Sequence, residues 1–342
     1  METVAVPIRP GATCTSLTLA ESSHWSFPAN LQPKADGQRF DLGHALRSVV
    51  MLRAEIPEDA FTASILGTER FGNAVVIRDD GLMLTIGYLI TEAESIWLTT
   101  NDGAVIPGHP LAYDFASGLG LVMPLGKLEV PALPRGSVAT LATGDEAIVI
   151  GHGGRPHALK AQVFAKQEFA GFWEYVLDEA IYTTPPHPEW SGAALVDMDG
   201  QLLGIGSLFV QEAIDDKAVK GNLFVPIDLI EPILDDLLTR GRSSLPPRPW
   251  LGMYTGEDNG RLVVGGVATD GPADLAGVQP GDVVVEVAGK RVAGLAELFR
   301  SVWRQGPAGT EISLGLLRDG VATRVGVRSG DRDDFLHKPR LQ

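Results

Sequence analysis

From about residue 45 to residue 225 the chain is cut into short β-rich runs by glycine, aspartate, asparagine and proline, a rhythm that few folds accept. The runs lie at 48–53, 71–78, 82–85, 95–99, 119–125, 146–151 and 202–209. The dipeptides Asp80-Gly81, Asp102-Gly103 and Asp199-Gly200 stand between them, where glycine supplies the positive φ of a tight hairpin. Many strands at this spacing predict an all-β dominated fold, a sandwich or barrels.

The period changes after Val225-Pro226-Ile227-Asp228. Ile230, Ile233, Leu234, Leu237 and Leu238 recur at helical spacing, which predicts an amphipathic helix stopped by Gly241. The proline-rich stretch 242–249 reads as a stiff linker. The expected organisation is an N-terminal arm over 1–44, a β domain over 45–241, the linker, a second domain over 250–329 and a polar tail over 330–342. The arm has no periodicity but carries Trp25, Phe27 and Phe40. Two readings of it stay open: a leader packed loosely on its own subunit, or a strap whose aromatics anchor a neighbouring subunit.

Composition removes several classes of partner. A formal net charge of −15 repels phosphate backbones and anionic lipid, so nucleic acid is not expected as a partner. The single cysteine, Cys14, has no partner within the chain, and no Cys/His spacing resembles a zinc site. No metal and no cofactor are expected. The start, Met-Glu-Thr-Val-Ala-Val-Pro-Ile-Arg-Pro, lacks a basic end followed by an apolar run, which gives a cytoplasmic expectation. No stretch reaches the roughly 18 to 20 apolar residues of a membrane span.

Residues 250–329 carry a pattern of their own. Trp250-Leu251-Gly252-Met253 opens it, and Gly271-Pro272-Ala273, Ala276-Gly277-Val278 and Gly281-Asp282-Val283 follow. A helix is predicted at Leu295–Trp303 and a hairpin turns at Asp319-Gly320. In this order the blocks resemble a PDZ domain of the bacterial type, which implies capture of a peptide C-terminus. The N–H groups of Leu251, Gly252 and Met253, beside Trp250, can form a nest for a carboxylate, and the adjoining strand can accept the peptide as an extra strand. Leu295, Leu298, Phe299 and Val302 are candidates for the pocket wall. The alternative is that they face the domain core.

The first domain resembles the trypsin-like serine proteases of the HtrA/DegP type. The resemblance rests on Arg70-Phe71-Gly72-Asn73-Ala74-Val75-Val76-Ile77 with Asp80-Gly81-Leu82-Met83-Leu84-Thr85. It rests equally on Trp190-Ser191-Gly192-Ala193-Ala194-Leu195-Val196, with the helix and PDZ pattern behind it. It implies a double β-barrel and a Ser-His-Asp triad. This chain departs from that triad. Tyr88 stands where the family has its histidine, and a phenol with a pKa near 10 is a poor proton acceptor at neutral pH. Gly118 stands where the family has its aspartate. Only Ser191 matches. Two residues before it, Glu189 replaces a glycine whose N–H helps to form the oxyanion hole. His152, His157 and His187 are candidates for a replacement base, His187 being nearest to Ser191 in sequence, but they read as structural or surface residues.

These features point to a non-catalytic peptide-binding or scaffold protein, a pseudoprotease whose PDZ domain recruits a protein or peptide with a free apolar C-terminus or an extended strand. Two other readings remain: an endopeptidase using Ser191 with a rearranged base, and a chaperone that holds unfolded chains. The family resemblance also makes a homotrimer a candidate assembly, beside a subunit of a hetero-complex.

Overall fold

The computed structural model describes residues 25–36, 38–214 and 217–337; Cys14 lies outside them. The fold is mostly β. Six strands form a first closed barrel: β1 (Val49–Glu55), β2 (Glu69–Val76), β3 (Met83–Ile86), β4 (Ser95–Thr99), β5 (Val105–Tyr113) and β6 (Leu119–Pro124), in the order β1-β2-β3-β6-β5-β4. A second barrel uses β7 (Glu146–Ile150), β8 (Ala158–Gly171), β9 (Tyr175–Thr184), β10 (Ala194–Val196), β11 (Leu202–Ile214) and β12 (Lys217–Pro226), in the order β10-β11-β12-β9-β8-β7. Closure leaves neither barrel an open edge.

Inward-facing apolar residues fill each barrel. Leu52, Leu84, Leu98 and Leu121 are fully buried in the first, and Val149, Leu159, Ile181, Leu195 and Phe224 form the core of the second. The expected hairpin turns are present: Gly81, Gly103 and Gly200 all hold positive φ. Short helices α1 (Leu42–Arg47) and α2 (Ala63–Leu66) flank β1, and Asp41 caps α1 by accepting from the His44 N–H at 3.0 Å.

The helix expected from Ile230 is shorter than its periodicity suggests. The chain makes a 3₁₀ turn at Ile227–Leu229 and becomes α-helical only at α3 (Leu234–Arg240). Pro232 explains the delay, because the residue before a proline is biased away from the helical region. Gly241 ends α3 in the left-handed conformation, as expected.

The arm's aromatics pack on this same chain. Phe27 donates its N–H to Pro156 O at 2.9 Å and, with Leu31, packs against the second-barrel core. The ring of Phe40 lies so close to Gly200 that a Cβ there would meet it at 2.5 Å.

The second compact unit comprises residues 168–178 and 243–337. Its sheet runs β13 (Met253–Asp258), β14 (Arg261–Val267), β15 (Val283–Val287), β17 (Glu311–Arg318), β18 (Val321–Arg328), with β16 (Lys290–Arg291) paired to β15. Helices α4 (Pro272–Leu275) and α5 (Leu295–Trp303) complete it. Trp250 pairs with Gly330 through its backbone, and its ring packs on Phe335 at 4.7 Å. Residues 330–337 therefore form part of this unit. Among the described residues no helix is long and apolar enough to cross a membrane.

Candidate functional site

Ser191 lies in the loop between β9 and β10, where the barrels meet. Asn73 of β2 holds that loop: its N–H donates to Ser191 O at 2.8 Å, and its side-chain amide donates to Glu189 O at 3.0 Å and Ser191 O at 3.1 Å. The Asn73 Oδ1 accepts from the His152 N–H at 2.8 Å. Gly192 (φ 73) follows, and a Cβ on it would lie 1.9 Å from Asn73 O. Only glycine fits so close an approach.

Tyr88 sits on the 3₁₀ turn Gly87–Leu89 after β3. Its Oη is 2.8 Å from both Ser191 Oγ and Ser207 O. A phenol has one proton, and a carbonyl can only accept. When Tyr88 donates to Ser207, its oxygen is left to accept from Ser191. Burial pushes the phenol far above its usual pKa, and the hydrogen bond with Ser191 opposes this only in part. The turn itself is held by Arg70, buried at 4% exposure, whose guanidinium donates to Tyr88 O at 2.6 Å, Thr91 O at 3.0 Å and Thr62 Oγ1 at 2.7 Å. Burial lowers the Arg70 pKa to about 10, with Glu92 acting against it.

Gly118 begins the approach to β6 with φ 78 and donates its N–H to Asp114 O at 2.7 Å. The nearby Asp114 carboxylate accepts from Ser117, at its N–H and at its hydroxyl, each at 2.7 Å.

Around Glu189 the polar groups face away from Ser191. The Glu189 N–H donates to His187 Nδ1 at 3.0 Å, so that nitrogen is the acceptor and Nε2 carries the proton, donated to His157 O at 2.9 Å. His187 is fully buried, and that burial lowers its pKa. It is a neutral ring with both nitrogens engaged away from Ser191. Glu189 Oε1 accepts from Trp25 Nε1 at 2.9 Å, and Oε2 lies 3.7 Å from His157 Nδ1. Burial works to raise the Glu189 carboxyl, but His157 and Trp25 outweigh it and hold it below its usual range. Trp25 packs edge-on against His157 and His187. His152 directs Nε2 to Thr100 O at 3.3 Å, and burial lowers its pKa.

In the second unit the Leu251–Met253 loop forms the expected nest, with Gly252 at φ 73. It is filled from within the chain: the carboxylate of Glu174, at the tip of the β8–β9 hairpin, accepts from all three N–H groups. Leu295, Leu298, Phe299 and Val302 on α5 are buried in one apolar cluster with Leu251 and Met253. The Trp250 side chain turns to Phe335 instead.

Sequence reasoning passed over four residues that shape these sites: Asn73, Arg70, Trp25 as a cover for Glu189, and Glu174. The run Phe172-Trp173-Glu174-Tyr175 was a signal for the last, since three aromatics around an acid at a hairpin tip need a surface to pack on. Among the described residues no group of three His, Cys, Asp or Glu could hold a metal ion.

Residues 72–205 match the trypsin-like peptidase domain, and residues 249–328 match the PDZ domain. The chain is 27% identical over 285 residues to a probable periplasmic serine endoprotease DegP-like of Halomonas elongata, covering 77% of this chain and 57% of that protein. It is 28% identical over 287 residues to the protein so named in Pseudomonas savastanoi, covering 78% and 57%. The chain thus spans a little over half the length of these relatives. In structure it is similar to the HtrA-type protease AlgW with decapeptide (TM-score 0.51, 21% identity, 88% of this chain and 100% of that one). It is also similar to the serine endoprotease from Yersinia pestis (TM-score 0.50, 22% identity, 85% and 98%). Those two likenesses are of fold. The relatives' names overturn the cytoplasmic expectation, because they are periplasmic proteins by name. That expectation leaned on the composition of the first ten residues, which says little about a chain matching only part of its relatives. This chain carries a trypsin-like peptidase domain followed by a PDZ domain.

Proposed function

We propose that this protein is a non-catalytic peptide-binding protein of the periplasm, the compartment for which its relatives are named, and that its PDZ domain captures partners by a free apolar C-terminus. The observation that carries the reading is the pairing of Ser191 with Tyr88. Activation of a serine needs a base that can hold its proton, and a buried neutral phenol with its pKa pushed upward cannot. Two further features support it. The Glu189 N–H, which an oxyanion would need, is given to His187, and Gly118 carries no side chain to orient a base. Loss of one essential triad member costs about a million-fold in turnover in a related chemistry.

A fluorophosphonate probe tests the reading. The protein is expected to label no faster than Ser191→Ala and to leave casein intact. The second reading, an endopeptidase, is favoured by the relatives' names. Labelling or casein cleavage that disappears in Ser191→Ala would establish it instead.

A further inference from the structure

The tip of the β8–β9 hairpin is arranged on the PDZ domain as a bound peptide would be. Glu174 Oε1 accepts from Gly252 N at 2.7 Å and Met253 N at 3.0 Å, and Leu251 N reaches both carboxylate oxygens, at 3.2 and 3.0 Å. Three successive N–H groups converging on one carboxylate make an anion nest. Two residues earlier, Phe172 O accepts from Thr255 N at 3.1 Å. Residues 172 and 174 thus face 255 and 253, the antiparallel step of two that a peptide makes when it adds to a strand. Val176, 7% exposed, joins the apolar cluster of Leu251, Leu298, Phe299 and Val302.

A carboxylate, a backbone rung and an apolar side chain are the three things a peptide C-terminus offers such a groove, and here one internal segment offers all three. The tip is fastened beyond the groove as well. Arg300 of α5 is paired with Glu168 and Asp178, one on each strand of the hairpin, and Arg332 Nη1 donates to Trp173 O at 3.3 Å.

We infer that the hairpin tip is an internal ligand which closes the PDZ groove, so that a peptide ending in a free carboxylate on an apolar residue must displace Glu174 to bind. The inference rests on the peptide-capture reading above and adds regulation to it. Apparent affinity is the intrinsic affinity multiplied by the fraction of molecules with an open groove. A tip that withdraws in about one molecule in ten weakens every outside ligand about tenfold.

The test uses the full chain, a fluorescent decapeptide ending in Val with a free carboxylate, its amidated form, and amide hydrogen exchange at Leu251, Gly252 and Met253. In Glu174→Ala the acid peptide is expected to bind about tenfold tighter than in the unaltered protein. The amidated form should stay weak in both, and exchange at the three amides should speed up. Equal peptide affinity in the two proteins, or unchanged exchange at those amides, overturns the closure. If neither protein binds the peptide but exchange accelerates, the internal ligand stands and the peptide-capture reading falls. Should Glu174→Ala not fold, Arg300→Ala carries the same test, because it releases the hairpin strands and leaves the nest intact. Tighter binding of the acid peptide supports closure there, and unchanged binding overturns it.

Discussion

Ser191 Oγ and Tyr88 Oη lie 2.8 Å apart where the two barrels meet, and the same phenol reaches Ser207 O at 2.8 Å. One aromatic hydroxyl therefore ties the serine loop, the turn after β3 and β11 together. On the function proposed above, Tyr88 is a structural residue. Tyr88→Phe removes the oxygen and strands two polar groups, which costs about 1–3 kcal/mol. Urea unfolding should show that loss, while fluorophosphonate labelling stays at its former level. A variant as stable as the parent would mean that water replaces the phenol without cost.

Restoring residue types alone should not restore reactivity. Tyr88→His and Gly118→Asp would supply a base and an orienter, with some backbone strain at φ 78, a region that aspartate tolerates better than most residues. Adding Glu189→Gly removes the carboxylate, but the N–H of residue 189 still points at His187 Nδ1. The triple variant should stay unlabelled. A fourth change, His187→Leu, takes away that acceptor and frees a donor of the kind worth about 2.7–4 kcal/mol to an oxyanion. Labelling should appear only there. Rapid labelling of the triple variant would show that the N–H turns readily and that His187 is no obstacle.

Much of this fold was legible because it is written in local chemistry. Asp80-Gly81 and Asp199-Gly200 demanded tight turns, and Asp319-Gly320 takes positive φ at both residues. The helix at 295–303 matches its periodicity at both ends. Motif order also pointed to Ser191 and Tyr88, which the fold brings within 2.8 Å of each other. What could not be read were relationships between distant segments, in which neither partner is unusual alone. Glu174 and Gly252 are 78 positions apart. Nor could the sequence say that Trp25 would cover Glu189, 164 positions away, since an aromatic in an aperiodic arm serves equally well against its own barrel or a neighbour's.

The PDZ unit carries an ion pair with a pH signature, a buried carboxylate held by a partly exposed arginine. Asp282, at 1% exposure, takes two hydrogen bonds of 2.7 Å from Arg318 and one of 2.9 Å from the Gln279 N–H. The Arg318 bonds hold its carboxyl below the ordinary value of 3.8, against the raising effect of burial. A depressed folded pKa contributes stability that is complete above the unfolded value and is lost as pH falls through the folded one. Arg318→Leu should therefore be less stable than the parent near neutrality, and the gap should narrow once pH drops below about 4. Thermal unfolding of both proteins across that range checks this. A constant gap would assign the loss to packing of the arginine stem.

Glu174 has the opposite sign. Burial raises its carboxyl from 4.5 to about 7, although the three N–H groups and Arg332 pull it down. Tyr254 and Arg332 are the ionisable groups that face it, and burial raises the Tyr254 phenol further from neutrality. A raised folded pKa contributes stability that is fully present below the unfolded value of 4.5 and is lost as pH rises through about 7. The docked tip should hold most firmly in mild acid and loosen towards neutral and alkaline pH. Glu174→Gln keeps the length and an acceptor oxygen but cannot ionise, so its hold should not change with pH in this range. The measurement is the difference in unfolding free energy between the parent and Glu174→Gln, taken from about pH 4.5 to about pH 8. The parent should lose stability relative to the variant over that interval, with the steepest change near the folded pKa. A flat difference would mean that the nest and Arg332 keep the carboxylate charged throughout and that any opening of the groove is independent of pH.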